Sequence, residues 1–269
     1  MTNETAGPWR TLSALRDRVP LVHNMTNFVA MDLAANLLLA AGASPAMVHA
    51  AEEVEDFLDQ ADALTINIGT LSAGWVEPMA SAARKAVELG LPWILDPVGV
   101  GATPFRGETA QRLAHLQPSV IRGNGSEILC LGGGQASGEA TTHGVDSTVE
   151  SAEALDAAHD LAKATGAIVA VTGAIDYVTD GERIVAVANG HPMMTRVTAL
   201  GCALTCLMGA CCAVNEDYLE ATAHALAILG LAGELAAAEA TGPASFRVRL
   251  IDAIYNLDEA TLLDGARIQ

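Results

Sequence analysis

The 269-residue chain reads as an α/β protein with a mostly parallel central sheet, helices on both faces and one antiparallel hairpin. Short apolar strand-like runs alternate with longer helical stretches, which is what parallel strands joined by helical crossovers produce. Composition agrees: 51% of residues are hydrophobic but only 4% aromatic, with abundant Ala and Gly, a mix suited to helices packed closely on a sheet. Finally, Asp180-Gly181 sits between two strand-like runs and marks a hairpin turn.

In chain order, strands are expected at Leu21–His23, Ala46–Val48, Leu64–Ile68, Trp93–Leu95, Val120–Ile121 and Ile168–Val171. Helical patterns lie between them at Val29–Ala41, Glu52–Gln60, Trp75–Leu89 and Ala152–Thr165. The hairpin occupies Tyr177–Val187, and from Cys202 onward the chain reads as helical, with Gly230 and Thr241-Gly242-Pro243 as helix limits. Gly132–Thr142, rich in Gly, Ser and Thr, reads as a surface loop. No linker cuts the chain and no repeat appears, so one domain covering residues 1–269 is expected.

A formal charge of −18 with only two lysines carries no nucleic-acid footprint and disfavours polyanionic partners. No apolar run reaches the roughly 20 residues of a membrane span, and the polar start has no signal-peptide core, so a cytoplasmic protein is expected. Five cysteines, four of them within Cys202–Cys212, fit neither a disulfide framework nor a CxxC metal pattern and read as free thiols.

Strand ends carry the polar residues, where an open α/β sheet binds its ligand. Arg122-Gly123-Asn124-Gly125-Ser126-Glu127 follows one strand and opens a helix. Asn124 and Glu127 offer oxygen ligands for a hydrated Mg²⁺ and Arg122 can reach a phosphate, which suggests a kinase. The same residues also read as a capped helix start. Asp96 closes another strand before Pro97-Val98-Gly99-Val100-Gly101 and suits a metal or its waters, or simply a turn. His23 to Asn27 follows the first strand and points to a cleft or to an Asn cap. Thr172-Gly173 ends the strand before the hairpin, where a hydroxyl and a flexible backbone can meet phosphate. Thr198-Ala199-Leu200-Gly201 feeds a helix near Cys202, so backbone N–H groups and the positive helix end converge on one spot, an anion site. A thiol there, near Arg196, is expected to favour the thiolate and becomes a candidate base or hydroxyl anchor. Cys206, Cys211 and Cys212 read as packing residues.

These blocks, together with Gly42-Ala43-Ser44-Pro45-Ala46-Met47, Asn67-Ile68-Gly69-Thr70-Leu71 and Asp176-Tyr177-Val178-Thr179-Asp180-Gly181, resemble the hydroxyethylthiazole kinase family from about Leu21 to Phe246. The resemblance implies a ribokinase-like three-layer α/β/α sandwich. It also implies transfer of the γ-phosphate of ATP, with Mg²⁺, to the hydroxyl of 4-methyl-5-(2-hydroxyethyl)thiazole in thiamine salvage. A homotrimer with sites between subunits is implied as well. Carried over residue by residue, it assigns Met47, Asn27, Gly69 and Ala199 to the thiazole side. Arg122, Thr172, Asn124 and Gly201 fall on the ATP side, Glu127 and Asp96 support Mg²⁺, and Cys202 occupies the catalytic position where many relatives of the fold carry Asp.

Two departures from the family pattern stand out. A Gly and a Thr of its turn before the cysteine are Ala199 and Leu200, and the Glu usual after Thr172-Gly173 is Ala174. If Ala199 takes φ > 0 it costs about 1 kcal/mol. A Cys202 thiol is a weaker base than a carboxylate in its place, so catalysis leans on positioning and phosphate electrostatics, and slow turnover is expected. A kinase for another small heteroaromatic alcohol and a non-catalytic thiazole- or nucleotide-binding protein are the alternatives. No Gly-x-x-x-x-Gly-Lys-Ser/Thr occurs, so a Walker-type kinase is set aside.

Overall fold

The computed structural model describes residues 7–133 and 151–269; from residue 134 onward the expected Gly132–Thr142 loop lies outside the described residues. Eight strands form one sheet in the order β2-β1-β3-β4-β5-β6-β7-β8. They are β1 (Leu21–Met25), β2 (Ser44–Ala46), β3 (Ala63–Asn67), β4 (Trp93–Asp96), β5 (Val120–Asn124), β6 (Ile168–Thr172), β7 (Asp176–Thr179) and β8 (Ile184–Val187). Strands β1 to β6 pair in parallel, whereas β7 and β8 pair antiparallel, as the Asp180-Gly181 turn requires.

Alternation along the strands divides the core between the two faces of the sheet. Ile94, Val120 and Ala170 point to one face, where they meet α1 (Gly7–Arg18), α2 (Met31–Ala41), α8 (Leu200–Val214), α9 (Tyr218–Glu239), α10 (Pro243–Asn256) and α11 (Glu259–Gly265). Trp93, Leu95, Ile121 and Val169 point to the other. There they pack on α3 (Val54–Leu58), α4 (Ala73–Leu89), α5 (Pro104–Ala114), α6 (Gly125–Leu131) and α7 (Leu155–Thr165). This is the expected three-layer sandwich.

Several expectations need correction. The strand expected at Ala46–Val48 stops at Ala46, because β2 is a three-residue edge strand pairing only with Leu21–His23, so Met47 lies just beyond it. Arg122 is on β5 rather than in a turn, since Arg122 to Asn124 continue the ladder with Ala170 to Thr172. Helices α1 and α5 are additional; α5 carries a readable start signal, Thr103 capping the Arg106 N–H at 3.3 Å ahead of Pro104. Gly230 is not a helix limit but the middle of α9, where a Cβ would stand 2.7 Å from the Cβ of Asn189. Helix α9 is itself long and apolar enough to cross a membrane, yet 78% of its apolar window is buried inside the protein, as expected of a core helix.

Candidate active site

The carboxyl ends of β3 to β6 and the amino end of α8 border a cleft of about 930 Å³. Its floor is a connected set of buried side chains, of which Asn27, Arg122, Thr172 and Cys202 line the cleft and Asn67, Asp96 and Thr205 lie behind them. Asp96, fully buried at the end of β4, accepts from Asn67 Nδ2 at 2.7 Å and from Thr205 Oγ1 at 2.8 Å through Oδ2. The Arg122 guanidinium lies 3.8 Å from the same oxygen and donates to Thr172 Oγ1 at 2.6 Å. Asn67 Oδ1 accepts from Asn27 Nδ2 at 2.8 Å, and that amide also reaches Cys202 Sγ at 3.2 Å. Asn27 Oδ1 meanwhile accepts the N–H groups of Val29 and Ala30, so the residue serves as a turn cap and a cleft residue together.

Parallel pairing brings these residues to one edge: β3 aligns Asn67 with Asp96, and β5 aligns Asn124 with Thr172. Helix α8 enters through Ala199, which adopts φ 66° and ψ 9°, the left-handed conformation the sequence anticipated and costing about 1 kcal/mol for Ala. Gly201 follows, where a Cβ would lie 2.6 Å from Arg122 Nη1 and force the guanidinium to move. The turn therefore lays its backbone directly against the guanidinium.

Glu127 is held by its neighbours. Its Oε2 accepts from the Asn124 N–H and its Oε1 from the Gly99 N–H, both at 2.9 Å, while Asn124 Oδ1 accepts the Glu127 N–H in return. The capping box read from the sequence is thus formed, at the cleft wall rather than on open surface. Burial, and then each other's proximity in the case of Glu127, pushes both the Asp96 and Glu127 carboxyls up, with Arg122 opposing. Asp96 Oδ1 is buried without a partner. An unmatched carboxylate oxygen beside a second carboxylate suits a hydrated Mg²⁺, which takes few protein ligands and keeps its waters. Among the described residues no group of three or more His, Cys, Asp or Glu converges as a fuller metal cage.

The thiol of Cys202 reverses the expectation of a favoured thiolate. Burial first, and then Asp96, push it up to about 11, outweighing Arg122 and the Asn27 contact. The cation acting on it is Arg122 of β5, not Arg196 of the preceding turn. Asp176 on β7 also borders the cleft; burial raises its carboxyl to about 7 against the Gly173 N–H and Arg122. Met47 is half-buried against the first core cluster and does not line this cleft.

Three contributors went unassigned in the sequence. Asn67 and Thr205 connect the floor, Thr205 standing one helical turn beyond Gly201, whose carbonyl it also reaches at 3.2 Å. Arg106 clamps the loops by donating to the carbonyls of Ile68, Val98 and Gly69 at 2.6–2.9 Å. An Asn ending an apolar run and an Arg after a Gly-rich loop were the available signals.

Comparison with known proteins bears on this geometry. Residues 12–260 match the model of the hydroxyethylthiazole kinase family. The chain is 55% identical over 258 residues to the hydroxyethylthiazole kinase of Cereibacter sphaeroides (strain ATCC 17029 / ATH 2.4.9), covering 96% of this chain and 97% of that one. To the Arabidopsis thaliana hydroxyethylthiazole kinase it is 48% identical over 265 residues, covering 98% and 95% respectively. The solved hydroxyethylthiazole kinase structure from Pyrococcus horikoshii OT3 superposes with a TM-score of 0.89 at 44% identity, covering 97% of this chain and 98% of that one. Bacillus subtilis pyridoxal kinase in complex with ADP, at 17% identity, a TM-score of 0.61 and coverages of 81% and 92%, shares the fold.

Proposed function

The chain belongs to the hydroxyethylthiazole kinase family, and we infer its activity from that premise: it is a phosphotransferase that phosphorylates the hydroxyl of the hydroxyethylthiazole alcohol, a step of thiamine metabolism. The donor in this reading is ATP with Mg²⁺, acting within one kinase domain spanning residues 1–269. The observation that carries the residue-level reading is the meeting of Cys202 Sγ, the Asn27 amide and the Arg122–Gly201 contact within one cleft.

Arg122 and Thr172, with the backbone at Gly201 and the α8 amino end, receive the phosphates, and Asn124 borders them. The acceptor hydroxyl lies against Cys202, Asn27, Gly69 and Ala199. Asp96 and Glu127 would hold Mg²⁺, which would neutralise charge on the phosphate oxygens. The hydroxyl oxygen bonds to the γ-phosphorus as the bond to the β-phosphate oxygen breaks, ADP leaves, and the hydroxyl proton passes to solvent once the new bond has formed. A thiol at about 11 is protonated at neutral pH, so Cys202 orients the hydroxyl rather than removing its proton beforehand. A loose phosphoryl-transfer transition state needs little early deprotonation, which makes positioning the main contribution.

Met47 lies outside the cleft, and beside the cleft Phe28 and Val29 expose 65% and 58% of their surface. Apolar surface next to the acceptor end supports a homotrimer in which a neighbouring subunit's Met47 side completes the thiazole pocket. A fully active monomer on dilution, followed by sedimentation, would defeat that arrangement. The cytoplasm is the compartment proposed, in keeping with free thiols.

Coupled ADP release with the thiazole alcohol, set against pyrimidine and pyridoxal-type alcohols, tests the function. Turnover is expected with the thiazole. A preference for another ring would reassign the substrate, and ATP binding without turnover would make the chain a binding protein.

A further inference from the structure

The loop Ala188–His191 borders the cleft through Asn189, Gly190 and His191, as do the apolar Leu226 and Leu229 of α9, the helix on which the loop packs. It is gripped from two sides. Against α9 the approach is so close that a Cβ on Gly230 would fall 2.8 Å from the Asn189 backbone. From the other side comes the end of the chain: Ala186 and Gln269 exchange backbone hydrogen bonds at 2.9 Å, and the Ala188 N–H donates to the Arg267 carbonyl at 3.0 Å. The Arg267 N–H donates to Asn189 Oδ1 at 2.7 Å, while its Nη2 donates to the Ala188 carbonyl at 2.9 Å.

Glu234 of α9 ties the two grips together. Its Oε1 accepts from the Gly190 N–H at 2.8 Å and from Asn189 Nδ2 at 3.1 Å. Arg267 Nη1 donates to Oε2 at 3.1 Å and Nη2 contacts Oε1. Arg267 does not line the cleft, and it lies beyond residue 260, where the family match ends. The result is a charged, forked clamp around a short loop whose conformation is set almost entirely from outside.

We propose that the segment Gly265–Gln269 is a brace for the nucleoside end of the cleft, with Arg267 as the positioning residue that fixes the Asn189–Gly190 backbone against the base and ribose of ATP. This rests on the kinase reading above, which puts the phosphates at Arg122 and leaves the apolar far end for the nucleoside. Losing forked bonds to a charged partner loosens only that end. The acceptor end, built on Cys202, Asn27 and Gly69, shares no member with the clamp.

The test is steady-state kinetics on the full chain with Arg267→Ala and Arg267→Lys, varying ATP and the thiazole alcohol independently. Arg267→Ala should raise KM for ATP roughly tenfold, with kcat and KM for the thiazole within about twofold. Arg267→Lys keeps the charge beside Glu234 but not the fork, and should fall between wild type and Arg267→Ala. An unchanged KM for ATP in both variants, or equal changes in both KM values alongside a falling Tm, overturns the brace while leaving the kinase intact. Wild-type protein that binds no fluorescent ATP analogue overturns the activity and the brace together.

Discussion

The two sides of the cleft are made of different material. The floor is a set of side chains from the ends of β3 to β6, the turn after β1 and the first turns of α8, and Asn27, Asn67, Asp96 and Thr205 use one another as hydrogen-bond partners beside Arg122 and Thr172. The wall from Ala188 to Gly201 is shaped through its backbone, by a left-handed Ala199, by Gly201 pressed on Arg122 and by contacts from α9 and Arg267. A floor of this kind is sensitive to the chemistry of single side chains. A wall of this kind is sensitive to Cβ atoms and dihedral angles, whatever the side chain's polarity.

The sharpest way to test the floor is Cys202→Ala. If the thiol orients the acceptor hydroxyl, kcat falls by up to roughly 10²-fold, the cost of a reacting group misplaced by about 1 Å. Stability should barely change, because the thiol's hydrogen bond to Asn27 is a single weak one. Measuring kcat and Tm together decides it: full activity in this variant would reduce Cys202 to a packing residue.

Gly201→Ala probes the wall with the smallest possible change. The added methyl meets the Arg122 guanidinium and displaces it from Thr172, so kcat/KM for ATP should drop about 10–100-fold. Arg122→Lys, which lacks the fork, should resemble it in the same assay. Normal ATP kinetics in both variants would break the link between wall and floor.

Glu127→Gln lies where the two sides join. A carboxamide keeps one acceptor of the two that serve Gly99 and Asn124, so a loss of about 1 kcal/mol is expected in denaturant unfolding. The Mg²⁺ concentration for half-maximal activity should also rise while thiazole affinity holds. An unaltered Mg²⁺ titration would leave Glu127 as a helix cap alone.

The smallest effect belongs to Ala199→Gly. Removing a Cβ from a residue at φ 66° should stabilise the fold by about 1 kcal/mol, less the entropy of the freer unfolded chain. Thermal melts should move up by about 2–4 °C or less. A lower Tm would show that Ala199 packing outweighs its strain.

Much of the fold and part of the site were legible in advance. The strand-helix alternation, the hairpin turn and the Asn124–Glu127 cap are local patterns, and all appear where periodicity and turn chemistry put them to within a few residues. Helix α5 escaped even with its Thr-Pro start, because its apolar positions are few. Gly230 misled because a glycine inside a helix looks the same whether it ends the helix or admits a neighbouring backbone. Asn67 and Thr205 were visible as polar residues but not as partners, since their common acceptor is 29 and 109 positions away.

By itself the sequence determined all eight strands and most of the helices, and which turns carry chemistry, because those properties depend on neighbours a few residues apart. It raised a left-handed residue before α8 only as a condition, and the structure supplied it at Ala199 with φ 66°. Only the tertiary structure decided that Cys202 is a protonated thiol. Its state depends on burial, on Asp96 and on Arg122, and its Asn27 contact spans 175 residues. Charge and desolvation act through space, so no reading along the chain could set that balance.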